Sequence, residues 1–189
     1  MTNSPKSAIT PPLSLIFAIN AGLLVRALED LSEDHYRNRP SDRTNSIAWV
    51  AGHIVQTRAL LLTLLGDPFD TTWGAIFNRG AEAPEPSAYP SLDQMRAVSG
   101  DVAARLETQL AALDDAALSA PARGPQLPRA ETVAQQVGFL ALHDSYHVGQ
   151  LGYLVEVEPA GVYDAVARFF DGAYTIQERM RLDVRVEGS

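Results

Sequence analysis

Residues 132–156 read TVAQQVGFLALHDSYHVGQLGYLVE. Val133, Val137, Leu140, His147, Leu151 and Leu154 recur there in an alternation of fours and threes. That spacing puts them on one face of a long helix. A core stripe that includes an imidazole combines a packing surface with a chemical group, so this segment bears on both fold and function.

Three earlier segments carry a comparable pattern. From about Ser14 to Leu31, the residues Leu15, Ile19, Leu23, Leu24, Leu28 and Leu31 share a helical face, with Pro11 and Pro12 just ahead of it. A second helix follows an N-cap at Asn45 or Ser46, with Ile47, Val50, Ile54, Leu61 and Leu64 as its stripe, and ends at Gly66-Asp67-Pro68. Ser91 caps a third, carrying Leu92, Met95, Val98, Val102, Leu106, Leu110 and Leu113. Between the second and third lies a connection from about Gly66 to Pro90, punctuated by Pro68, Pro84, Pro86 and Pro90 and holding Trp73 and Phe77. A connection of that length points to a crossover or a functional lid. Four such helices predict an all-α four-helix bundle. Beyond Pro159, Val162–Phe170 suggests a short helix, and Leu182, Val184 and Val186 alternate like an edge strand or an arm.

Composition narrows the chemistry. The chain has 189 residues, 15 Lys+Arg, 23 Asp+Glu, four His and no Cys. One domain of this size buries enough surface to fold without a staple. Without Cys there is no disulfide, no Cys-ligated zinc, no iron–sulfur cluster and no thiol nucleophile. A formal charge of −8 and a pI near 4.9 argue against nucleic acid as a partner. Leu13–Val25 is apolar, but no cleavage pattern follows it, and the run continues with helical spacing into Arg26, Glu29 and Asp30. No uninterrupted apolar run reaches the ~20 residues of a membrane span. These features predict a soluble cytoplasmic protein.

His143 and His147 stand four apart on the fourth helix, so both imidazoles lie on one side, one turn apart. His53 lies on the inner side of the second helix, one turn past Trp49. If those helices adjoin, three imidazoles face one point. Neutral imidazole suits zinc, nickel, iron and copper, and three protein ligands leave positions for water or substrate. The competing reading is a core cluster of hydrogen-bonded histidines without metal. His35 sits in a polar helix end and reads as solvated.

The run Asn45-Ser46-Ile47-Ala48-Trp49-Val50-Ala51-Gly52-His53 is followed by His143-Asp144-Ser145-Tyr146-His147-Val148-Gly149-Gln150-Leu151. Together they resemble the DinB-like superfamily of metalloenzymes. Its pattern is a Trp one turn before a single His, then His-x-x-x-His-x-Gly-Gln on the last bundle helix. The resemblance covers residues 12 to 156 of a single domain spanning 1–189, and leaves 157–189 as a C-terminal extension. It implies up-down-down-up topology, with the crossover between helices 2 and 3. It also implies one divalent transition ion, zinc or nickel with iron as a third candidate, on His53, His143 and His147. A homodimer, a small-molecule substrate and a low-molecular-weight thiol cosubstrate belong to the same expectation. The implied activity is a thiol S-transferase; a metal-dependent hydrolase and a non-catalytic metal-binding stress or interaction protein are the alternatives.

Neighbouring residues have several readings. Asp144 is a further ligand, a surface charge or, the favoured reading, an acceptor for an imidazole N–H. Gln150 reaches a ligand or metal-bound water, or equally a loop carbonyl. Gly149 reads as a close helix contact, Trp49 as packing near the site, and Tyr146 as structural and turned toward a neighbouring helix. Trp73 and Phe77 suit a wall against an electrophile. Arg58 could meet an anionic substrate, but a plain surface role is the preferred reading. No residue stands out as an obligatory general base.

Overall fold

A computed structural model describes residues 7–41, 44–71, 73–78, 84–125 and 127–156. The features expected at Val162–Phe170 and at Leu182, Val184 and Val186 lie outside them. Six helices form among the described residues: α1 Thr10–Glu29, α2 Glu33–Arg37, α3 Ile47–Leu65, α4 Leu92–Ala111, α5 Asp115–Ser119 and α6 Val133–Glu156. No strand forms there, and a lone bridge joins Pro121 to Thr132.

Local chemistry sets the ends of these helices. Ser46 accepts from the Trp49 amide at the start of α3. Gly66, at φ 95°, closes the other end, where its amide and that of Asp67 return to Thr63 and Leu62 carbonyls. Ser91 and Gln94 form a reciprocal capping box on α4. The first helix begins earlier than its apolar pattern suggests, because Pro11 and Pro12 fit inside a first turn whose amides need no helical partner. Two short helices escaped the periodicity altogether: α2 and α5 have five residues each, too few to show it.

The four long helices form a ring in which α1 packs on α4 and α6, and α3 packs on α4 and α6. The first two long helices, α1 and α3, are thus diagonal. Arg96, early in α4, donates to the Leu28 and Glu29 carbonyls at the end of α1, so these two run oppositely. Arg105, late in α4, pairs with Asp67 just past α3, so α3 and α4 run the same way. Gly124, leading into α6, lies against Leu64 at the end of α3, and α6 therefore runs back along it. The result is up-down-down-up.

The core joins Leu24 and Leu28 of α1, Ile54, Leu61 and Leu62 of α3, Met95, Leu106 and Leu110 of α4, and Val137 and Leu151 of α6. The expected face of α1 is buried at Leu23, Leu24 and Leu28, with Ile19 and Leu31 packed against the core, but Leu15 is 40% exposed and Phe17 and Asn20 point inward as well. Leu15 falls on the side of the helix opposite Leu24, which is why it stays outside. α1 and α3 are also long and apolar enough to cross a membrane, with mean hydropathies of 1.6 and 1.3. α3 is mostly buried within the bundle.

The long connection between α3 and α4 includes two short 3-10 turns, Gly74–Phe77 and Pro86–Ala88. Phe77 enters the core, stacked near Tyr89 and edge-on to Trp73. It packs over Gly52 so closely that a Cβ there would lie 2.3 Å from its ring. Gly52→Ala should therefore destabilise the protein by about 1–3 kcal/mol through overpacking, despite the gain of about 1 kcal/mol that Ala brings to an exposed helix. Urea denaturation measures the balance, and equal or greater stability would contradict this packing.

Candidate metal centre

α3 and α6 bring His53, His143 and His147 together. One ring nitrogen from each lies within 4.8 Å of the others, an arrangement that could hold a metal ion. The His53 ring centroid is 5.2 Å from that of His143 and 4.6 Å from that of His147. The Nε2 atoms of His143 and His147 are 3.2 Å apart. Two nitrogens bound at 2.0–2.1 Å to one ion stand about 2.9–3.4 Å apart for octahedral to tetrahedral angles. The observed separation falls in that interval.

Two of the rings have their tautomers dictated by acceptors. His53 Nδ1 lies 2.7 Å from the Phe77 carbonyl. A carbonyl only accepts, so Nδ1 carries the proton and Nε2 keeps its lone pair. His147 Nδ1 is 2.7 Å from Gln150 Oε1 and is protonated for the same reason. Its bare Nε2 faces that of His143. Without metal, His143 donates across this gap; with a shared cation, both lone pairs point to it. Orienting a ligand imidazole through its other nitrogen is the usual support of a His metal site.

Burial favours the neutral form of His53 and His147. His53 and His147 are each 9% exposed, and His143 is partly buried. Desolvation lowers the His53 pKa, with the Phe77 carbonyl opposing it. Desolvation, then the neighbouring imidazoles, lowers His147 to about 4, while Gln150 and Asp144 oppose. Neutral imidazole is the form that binds metal. The donor set, its tautomers and its charge state thus fit a transition ion.

The surroundings revise several expectations. Trp49 stacks on His53 at 4.9 Å between centroids, as packing beside the site requires. Gln150 supports His147 directly, and its Nε2 donates to the Tyr146 hydroxyl at 3.2 Å. Tyr146 is 62% exposed instead of facing a neighbouring helix. Gly149 is exposed, and a Cβ there would touch nothing among the described residues, so it makes no close contact with another helix of the bundle. Phe77 contributes a carbonyl to the site while its ring lies in the core, which replaces its expected place on a wall.

Arg58 is the largest correction. It is 2% exposed, and its Nε and Nη2 donate to the two oxygens of Asp144 at 2.8 and 2.9 Å. Asp144, favoured as an acceptor for an imidazole, accepts from this guanidinium and from Asn20 Nδ2 at 2.9 Å. His35 lies exposed on α2, away from the cluster. The contributions of Asn20, Gly52 and Phe77 had no visible signal beyond a polar residue in an apolar run and a glycine inside a helix.

A sequence profile described as the DinB superfamily matches residues 17–151, which include the whole site. The chain is also 46% identical over 41 residues to an NAD kinase from Thermococcus sibiricus. That match spans 22% of this chain and 15% of the kinase, so it describes a short local likeness.

The pKa of His147 implies a pH dependence for the metal-free protein. The folded value lies below the ordinary 6.5, so the unfolded chain binds the proton more readily between 6.5 and about 4. Stability from this group is complete above 6.5 and is lost as pH falls toward about 4. A series of melting temperatures across that range should fall more steeply for the parent than for His147→Gln. Parallel curves would contradict the assignment.

Proposed function

We propose that this chain, which belongs to the DinB superfamily, holds one divalent transition ion on His53, His143 and His147 and acts as a low-molecular-weight-thiol S-transferase. The convergence of three imidazoles, two of them held neutral with Nε2 turned to the common point, carries the metal reading. Such an ion, when bound, lowers the pKa of a coordinated thiol and provides a Lewis acid.

The chain's own residues supply orientation and shelter. Phe77 and Gln150 hold two rings with Nε2 turned to the common point. Trp49 covers one face of His53. The Tyr146 hydroxyl, tied to Gln150, stands at the exposed side of His147, where it can hydrogen-bond an arriving substrate. The absence of Cys bears on the reaction class, because sulfur chemistry here requires a thiol from outside. A small-thiol cosubstrate fits both that need and a three-nitrogen donor set, which leaves coordination positions open.

A homodimer is part of the same proposal. Leu142, Tyr146 and Tyr153 are 70%, 62% and 65% exposed and recur at four- and seven-residue steps along α6. This exposed apolar stripe supports an interface with a second copy. Light scattering should give twice the chain mass for the parent, and Tyr153→Lys should shift it toward the single chain. A monomeric parent would refute the dimer.

Metal analysis and turnover test the rest. Purified protein reconstituted with zinc, nickel or iron should hold about one equivalent, and His147→Ala should bind at least 10-fold more weakly. Unchanged stoichiometry and affinity in that variant would refute the three-histidine site. Activity toward an electrophile should appear only with glutathione, bacillithiol or mycothiol. Turnover without any thiol would instead identify a hydrolase.

A further inference from the structure

Arg58 and Asp144 form a fork-to-fork ion pair in the interior, with side chains 2% and 1% exposed. Arg58 stands five residues beyond His53 on α3, and Asp144 lies between His143 and His147 on α6. Asn20 joins from α1, its amide nitrogen 2.9 Å from both Asp144 Oδ2 and Ser145 Oγ. Three of the four bundle helices thus meet in one polar cluster in the layer beside the imidazoles.

Stability alone does not account for this cluster. Desolvating two charges costs several kcal/mol per ion, and apolar replacements of buried pairs are often equally stable or more so. A bidentate pair does supply geometry that leucines do not. It specifies both the translation and the rotation of one helix on another. A slip of one residue moves a helix by about 1.5 Å, whereas a metal ligand tolerates about 0.2 Å. Apolar side chains adapt to small slips by changing rotamer; a fork on a carboxylate does not.

We propose that the Arg58–Asp144–Asn20 cluster is a positioning device that sets the register of α6 on α3, so that His53 meets His143 and His147. The metal part of this statement rests on the function proposed above, but the helix register does not. Arg58 and Asp144 are positioning residues: they act through the imidazoles and need not touch substrate.

The test uses the full-length double variant Arg58→Met/Asp144→Leu, which replaces the pair with apolar side chains. It should melt close to the parent but bind cobalt(II) about 10- to 100-fold more weakly, as for other residues that orient metal ligands. Its cobalt absorption bands should also shift. In the metal-free state, the ring-proton NOE between His53 and His147, whose centroids lie 4.6 Å apart in the parent, should weaken. A folded variant with parental cobalt affinity, spectrum and NOE would overturn the proposal. If the parent itself takes up no cobalt, the metal reading fails, and the NOE alone decides the positioning role. Should the double variant not fold, Asn20→Ala, which removes a single donor, decides it. A several-fold loss of affinity with a shifted spectrum supports the proposal, and parental values overturn it.

Discussion

The packing of α3 against α6 in opposite directions is the constraint on which the site depends. His53 belongs to one helix, and His143 and His147 to the other. Their nitrogens converge only if rise, rotation and separation all agree. Apolar contacts such as Ile54 and Leu151 bring the helices together, but they act without direction. Hydrogen bonds and the buried ion pair supply the direction. The same contact thus contains a nonspecific attraction and a specific alignment, carried by different residues.

The long connection between α3 and α4 belongs to this arrangement. It makes the crossover that lets α4 run parallel to α3, and on its way it inserts Phe77 into the core. Its ring needs the space left by Gly52, and its carbonyl accepts a hydrogen bond from His53 Nδ1. One residue therefore links core packing to the tautomer of a candidate ligand. Gln150 does the corresponding work for His147 from within the same helix. The two supports differ in kind. One follows from local i, i+3 spacing, whereas the other comes from 24 residues away.

Burial and chemistry reinforce each other at this point. Placing imidazoles in a nearly dry interface favours their neutral form, and neutral rings are what a metal requires. The buried charges of Arg58 and Asp144 beside the site satisfy one another. A lone carboxylate in the same place would favour imidazolium and set proton against metal. Pairing it with a guanidinium moderates that pull while leaving a rigid polar anchor.

Sequence alone determined the four long helices, because a stripe of apolar residues and a capping side chain are local properties. It likewise picked out His53, His143 and His147. Four-residue spacing is a helical neighbour relation, and an inward-facing His on another long helix was its natural complement. It did not determine that Arg58 is buried, that Asn20 points inward, or that Phe77 lends its carbonyl. Each of these depends on which helices are neighbours. α1 and α3, consecutive among the long helices, stand diagonally, and α6 lies between them. Only the folded ring brings Asn20, Arg58 and Asp144 into one cluster, across separations of 86 and 124 residues. The free energy of a buried charge depends on the partner it meets there, and no local pattern encodes that partner.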